Sequence, residues 1–296
     1  MSEQETNYLI DASVQVFRAW YSVPDDFSDK QGRPTNAVYG FAGFLCKLLE
    51  EQQPDYIALA FDETLESSYR NEIYPEYKAN REPAPEELKR QFHWCRQLGE
   101  AMGVVCYGDA RFEADDIIGT LAKLSRERGQ NNCIVTSDKD LTQLVGPGDW
   151  WWDISRKKRM DMAAVEKPFG VPPNLIAEFL ALTGDTVDNI PGVPGIGPKT
   201  AAKLLQYFGN WDALWNGLEH VPHIKIRGAA GIAKKLEQHK DAAHLARQLT
   251  EIHCAVPDVE RQPDVRKQAG DEAKIEALFD ELGFGPMLRR RCLALC

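Results

Sequence analysis

Tyr56-Ile-Ala-Leu-Ala-Phe-Asp62 is an unbroken apolar run of strand length that stops at an aspartate. Two shorter runs behave alike: Tyr8-Leu-Ile is followed directly by Asp11, and Cys133-Ile-Val-Thr136 by Ser137 and Asp138. Short runs without polar alternation read as strands buried on both faces. Between them lie helical patterns, from Ala42 to Glu50 and through Ile117, Ile118, Leu121 and Leu124 at i, i+1, i+4 and i+7. Strand and helix alternate, so an α/β fold is expected, a mainly parallel sheet with helices on both faces.

In such sheets ligands bind beyond the carboxyl ends of the strands, where Asp11, Asp62 and Asp138 would meet. A single aspartate after a strand is more often a helix cap or a turn residue. Three in one chain shift the balance, and two further clusters add to them. Glu113-Ala-Asp115-Asp116 stands at the start of the 117–128 helix, where the helix dipole favours negative charge. In Thr183-Gly-Asp185-Thr-Val-Asp188 the i, i+3 spacing is expected to place both carboxylates on one side of a helical turn. Asp140 lies two residues past Asp138. Acids gathered this way raise one another's pKa unless cations intervene. An all-oxygen set with no His or Cys points to Mg²⁺ or Mn²⁺, and more acids than one hydrated Mg²⁺ needs point to two or more ions. No Asp-x-[Asp/Asn]-x-[Asp/Asn]-Gly loop suggests calcium.

Composition fits this picture. The 296 residues are 43% hydrophobic and 27% charged, which excludes a disordered or fibrous chain and allows two domains. No apolar run nears the ~18–20 residues needed to cross a bilayer, and a cytoplasmic protein is expected. Seven scattered cysteines without a C-x-x-C pair argue for reduced thiols, against a disulfide framework or structural zinc. The net charge of −10 taken alone speaks against nucleic acid, but setting the nine clustered acids aside leaves a balance near neutral. From Ile196 to Lys240 seven basic residues face three acidic ones, so acid and base are segregated along the chain.

Two segments remain. Glu66 to Phe92 is polar, broken by Pro75, Pro83 and Pro85, with Tyr69, Tyr74 and Tyr77 set among Arg70, Lys78 and Arg81. Its five basic and six acidic residues fit a solvated surface element as well as one over the metal site whose cations bind phosphate and whose tyrosines stack on bases. Pro191-Gly-Val-Pro-Gly-Ile-Gly-Pro-Lys-Thr200 has the spacing of a degenerate P-loop, but Pro198 interrupts it and no apolar strand precedes it. It reads better as a glycine-rich turn before a helix whose buried stripe is Ala201, Ala202, Leu204, Leu205 and Phe208. Its amides would then hold a duplex phosphate, with Lys199 and Lys203 on the DNA side.

The order of these segments resembles the 5′ nuclease family: flap endonucleases, phage 5′-exonucleases and the N-terminal domain of bacterial DNA polymerase I. The resemblance is carried by Leu9-Ile-Asp11, Ala60-Phe-Asp62, Tyr69-Arg70, Tyr77-Lys-Ala-Asn-Arg81, Phe112-Glu-Ala-Asp-Asp116, Thr136-Ser-Asp-Lys-Asp-Leu141, Ala181 to Asn189 and Pro191 to Thr200. It implies a PIN-like nuclease domain over 1–170 with a helical arch at 66–92, and a helix–three-turn–helix DNA-binding domain over 171–256. A segment at 257–296 would pack back on the core. It implies that Asp11, Asp62, Glu113, Asp115, Asp116 and Asp138 serve the more tightly held ion and Asp140, Asp185 and Asp188 the second. By the same resemblance Arg70, Lys78 and Arg81 grip the scissile phosphate and the 5′ strand. Tyr77, Gly192, Gly195, Gly197, Lys199, Thr200 and Lys203 contact DNA, and the turn holds K⁺ through its carbonyls.

The activity implied is that of a structure-specific 5′ nuclease of replication and repair. It would act as a monomer on DNA with a 5′ flap, nick or free 5′ end, with RNA primer strands a further candidate, and leave a 5′-phosphate and a 3′-hydroxyl. The chain ends about where the family's nuclease part ends, and it keeps the full acid set, so a stand-alone active enzyme is expected. The rivals are a DNA-structure-binding protein without strong catalysis and a PIN-type ribonuclease. Trp150-Trp-Trp152 reads as a buried edge strand, and the six histidines show no metal spacing.

Overall fold

The computed structural model describes residues 5–63 and 68–296. Strands β1 (Thr6–Asp11), β2 (Tyr56–Asp62), β3 (Val105–Asp109), β4 (Asn131–Val135), β5 (Trp150–Asp153) and β6 (Lys158–Met160) form one sheet in the order β3-β2-β1-β4-β5-β6. All neighbouring strands are parallel except β6, which runs antiparallel to β5. The expected strands are β1, β2, β4 and the tryptophan strand β5, which lies one strand in from the edge and not at it. β3 and β6 lie outside that expectation. Trp151 and Trp152 are buried, whereas Trp150 is 42% exposed.

Helices α1 (Ala12–Ser22), α2 (Asn36–Gln52), α3 (Tyr69–Ile73), α4 (Glu86–Ala101), α5 (Ala114–Glu127) and α6 (Met162–Phe169) accompany the sheet. α7 (Ile176–Thr183), α8 (Pro198–Phe208), α9 (Trp211–Asn216), α10 (Ala229–Gln238) and α11 (Lys240–Thr250) form the helical part, followed by α12 (Pro257–Arg261), α13 (Glu272–Leu282) and α14 (Pro286–Leu293).

Alternate side chains leave a strand on opposite faces, and here both faces are covered. Leu9 and Ala58 point into one core with Ile117 and Leu121 of α5 and with Leu180 and Leu204 of the helical part. Ile10 and Leu59 point into the other with Phe41 of α2, Leu98 of α4, Phe279 of α13 and Cys292 of α14. That explains why the strands read as continuous apolar runs. The chain after α12 returns to the sheet layer, where the Ile57 amide donates to the Val265 carbonyl at 2.8 Å. All seven cysteines are free thiols. Among the described residues no helix is long and apolar enough to cross a membrane.

The segment expected as an arch is shorter than the sequence implies. Residues 66 and 67 lie outside the described residues. Residues 86–92 are the first turns of α4, and Leu88, Gln91 and Phe92 are core residues. α3 and the turns of 74–85 make up the rest.

Candidate active site

The sheet order changes direction around β1, which lies between β2 and β4, and the carboxyl ends of these three strands supply the floor of an acidic crevice. Asp11 ends β1 and caps α1, its Oδ1 accepting the Val14 amide at 3.0 Å. Thr136, just past β4, joins two acids: its hydroxyl donates to Asp11 Oδ2 at 2.8 Å and accepts the Asp138 amide at 3.0 Å. Asp62 ends β2 and accepts the Ala114 amide at 2.9 Å, which ties the strand end to the start of α5. Asp115 lies one residue further along that helix. Burial, with the Asp62 carboxylate next to it, pushes Asp11 up to about 7. Burial and the neighbouring Asp138 and Asp11 push Asp115 well above the usual carboxylate range.

A second group adjoins the first through Asp138, whose Oδ1 accepts the Asp140 amide at 2.9 Å. Asp140 carries a buried Oδ1 without a hydrogen-bond partner, and burial with Asp138 beside it lifts this carboxyl to about 8. Asp185 and Asp188 face the same place, but the helical turn expected for them is absent. Gly184, at φ +77°, ends α7, and Asp185 and Ile190 exchange both backbone hydrogen bonds across a tight turn. Asp185 Oδ1 receives the amides of Val187 and Asp188, and its Oδ2 receives Lys139 Nζ at 3.1 Å.

Lys78 and Arg81 reach these acids from the other side. Lys78 Nζ lies 2.6 Å from Glu113 Oε1 and 3.9 Å from Asp188 Oδ2, and Arg81 pairs with Asp188. Burial alone would raise Glu113, but Lys78 and Arg70 outweigh it and hold the carboxyl below its usual range. Three expectations need correction here. Tyr77 is buried and its hydroxyl donates toward Glu113 and Asp188, so no face is free to stack on a base. Asp116 is fully buried, and its carboxylate is taken up by Arg70 and by the amides of Glu113 and His253; it is not placed to meet a metal. Arg70 has a side chain 3% exposed with all five N–H groups engaged inside the protein, which leaves none for a phosphate.

Asp11, Asp115, Asp138 and Asp140 fit hard divalent cations, because burial and mutual repulsion raise all four and the buried Asp140 Oδ1 has no hydrogen-bond partner. Among the described residues no three such groups close into a ready metal cage. Mg²⁺ commonly keeps several waters and uses few protein ligands, which matches an open set. A cavity of about 710 Å³ opens between this crevice and residues 75–85, bordered by Phe17, Tyr21, Asp62, Arg81, Phe112 and Glu113. Phe17 and Tyr21 of α1 escape the sequence argument because they look like ordinary members of an amphipathic helix. Lys139 escapes it because only the fold brings Asp185 within reach.

The glycine-rich turn lies between α7 and α8 as expected, and the Val193 amide donates to Leu182. A Cβ on Gly192 would stand 2.3 Å from the Thr183 carbonyl carbon, so the close approach requires glycine. Gly195 has φ +79°, whereas a Cβ on Gly197 meets nothing. Lys199 and Lys203, one turn apart on α8, are exposed, Thr200 is half-buried, and the Lys235 ammonium lies against Gly195.

Carboxylates from several chain segments converge at the carboxyl edge of a mainly parallel sheet beside a helical part, the kind of oxygen set that suits hard divalent cations. Model comparison gives the family: the 5′-3′ exonuclease N-terminal resolvase-like domain matches residues 6–170, and the 5′-3′ exonuclease C-terminal SAM fold matches residues 171–273. The chain belongs to the 5′-3′ exonuclease family. DNA polymerase I of Bacillus caldotenax is 38% identical over 287 residues, covering 95% of this chain and 32% of the polymerase. That of Mycobacterium leprae is 38% identical over 284 residues, covering 93% and 30%. The chain thus spans about a third of the length of these relatives.

Among solved structures, bacteriophage T5 5′-exonuclease with divalent zinc ions bound has TM-score 0.68 at 18% identity, covering 98% of this chain and 99% of that one. The catalytic core of Rad2 in complex with DNA substrate has TM-score 0.65 at 17% identity, covering 99% and 93%. At these identities the likeness shows a shared fold.

Proposed function

We propose that this chain hydrolyses phosphodiesters of DNA at 5′ flaps, nicks and free 5′ ends, leaving a 5′-phosphate and a 3′-hydroxyl. The observation that carries this reading is the convergence of acids from separate elements, Asp11 joined to Asp138 through Thr136, Asp138 to Asp140 through the Asp140 amide, and Asp185 to Lys139, with burial raising Asp11 and Asp140. Asp11, Asp62, Glu113, Asp115 and Asp138 would hold one divalent ion, and Asp140, Asp185 and Asp188 a second. When bound, such ions supply an activated water and neutralise the charge of the phosphoryl oxygens.

The protein's own groups do the rest. Lys78 and Arg81 would meet the phosphate from the side opposite the acids. The N-terminus of α8, with Lys199, Thr200 and Lys203, would hold a duplex phosphate, so substrate choice follows DNA shape and not base sequence. Three prolines remove amide donors from the 191–198 turn, leaving carbonyl oxygens in excess, the balance K⁺ would need. The test is cleavage of labelled 5′-flap, nicked and blunt DNA, and of the same flap with RNA at its 5′ end, in Mg²⁺, in Mn²⁺ and in EDTA. Asp138→Ala is expected to abolish metal-dependent cleavage and to spare DNA binding. Cleavage at the wild-type rate by that variant removes the metal assignment.

A further inference from the structure

Arg70 was expected at the phosphate, yet its surroundings describe a different task. Nε donates to the Leu249 carbonyl at 3.0 Å. Nη1 donates to Glu113 Oε2 at 2.9 Å and Asp116 Oδ2 at 2.8 Å, and Nη2 to Asp116 Oδ1 at 2.8 Å and the Glu251 carbonyl at 2.9 Å. One guanidinium therefore joins α3, the start of α5 and the end of α11.

The segment that leaves α11 is fixed to the crevice at further points. The His253 amide donates to Asp116 Oδ1 at 2.8 Å, and the Val256 amide to Thr120 Oγ1 at 3.1 Å. Gln143, three residues past Asp140, donates to the Thr250 carbonyl at 3.0 Å and accepts the Ile252 amide at 3.1 Å. α11 is in turn held to α7, through Thr250 to the Ala177 carbonyl and through Arg247 to Glu178. α7 leads directly into the Asp185 turn and packs by its last residues on the glycine-rich turn.

We propose that Arg70 is a positioning residue that links the helical domain to the acidic crevice. With Asp116 as its anchor, it fixes Glu113 relative to the exit of α11, so that a duplex seated on α8 finds the acids in register. This rests on the nuclease reading above. A planar fork with five donors is what the place demands; an ammonium offers three donors and no fork.

The experiment compares R70Q, R70K, D116N and the R70Q/D116N double variant, each well below its own melting temperature. It measures kcat and KM on 5′-flap DNA in Mg²⁺, flap-DNA affinity in EDTA across salt, and amide hydrogen exchange over 249–256. Positioning predicts that kcat falls about 100-fold, the scale of small misplacements, in R70Q and D116N alike. R70K keeps its fold but recovers little of the rate. KM and EDTA affinity stay within about threefold, exchange over 249–256 speeds up, and the double variant is no worse than the poorer single one.

A soluble, folded R70Q or R70K with wild-type kcat overturns the proposal by making the pair purely structural. So does an R70Q that loses DNA affinity and about one unit of salt slope while D116N does not, because Arg70 then touches phosphate. A wild-type chain that cleaves no substrate overturns the nuclease reading itself, and the proposal with it.

Discussion

Asp140 shows how a residue is set aside for function at the expense of stability. Its buried Oδ1 has no hydrogen-bond partner, and its carboxyl is lifted to about 8 by burial and by Asp138. Replacing it with Asn removes a charge the folded chain disfavours. Asp140→Asn is therefore expected to stabilise the metal-free protein at pH 8 by about 1–2 kcal/mol, or about 2–4 °C per kcal/mol, and to shrink the thermal gain from Mg²⁺. Melting curves in EDTA and in Mg²⁺ check both halves; a lower melting temperature in EDTA contradicts the first. Residues like this were legible because a strand end is a place where ligands meet, and Asp11, Asp62 and Asp138 all follow apolar runs. The same rule applied to β3 would select Asp109, whose Oδ1 is taken by the Arg111 and Phe112 amides as an ordinary turn former. Arg70 escapes such a reading because the Leu249 and Glu251 carbonyls it donates to lie about 180 residues further along the chain, where no local pattern reaches.

Among the elements, the strands that escape the sequence lack a continuous apolar run. β3 contains Gly108, and β6 is only Lys-Arg-Met, an edge strand beside the tryptophans. The i, i+3 acids after α7 suggest a helical turn, but Gly184 and Asn189, both at positive φ, close it as a tight turn. That turn and the glycine-rich turn are one unit, since Gly192 lies on the backbone of Thr183 and Gly184. Gly192→Ala must push them apart, because its Cβ would meet backbone atoms at 2.3 Å. The expected cost is about 1–3 kcal/mol of stability, the range for overpacking, with loss of Mg²⁺ binding as Asp185 and Asp188 move. Wild-type stability and metal binding in this variant would separate the two turns. Lys199→Ala acts at the same element differently, on an exposed cation. It is expected to weaken duplex affinity in EDTA and reduce the salt slope by about one, leaving the melting temperature unchanged; a slope equal to wild type takes α8 out of the interface.

At the scale of the whole molecule, the acids gathered at one edge of the sheet have a consequence for stability against pH. Asp11, Asp115, Asp138 and Asp140 all have folded pKa values raised above the unfolded carboxylate range, to about 7 for Asp11 and about 8 for Asp140. Between about pH 4 and those values the folded chain holds protons that the unfolded chain has released, so stability falls as pH rises. Each such carboxyl contributes a slope of up to about 1.4 kcal/mol per pH unit. Glu113, Asp29 and Glu50 are shifted downward, and the stability they contribute is lost only at lower pH, outside this window. In EDTA the melting temperature is therefore expected to decline from pH 5 to 8. Added Mg²⁺ should restore it increasingly with pH, because the ion competes with protons for the same oxygens. Thermal melts at fixed ionic strength, with and without Mg²⁺, measure this directly. A melting temperature that stays level or rises from pH 5 to 8 without metal would mean that the acids do not share one buried crevice.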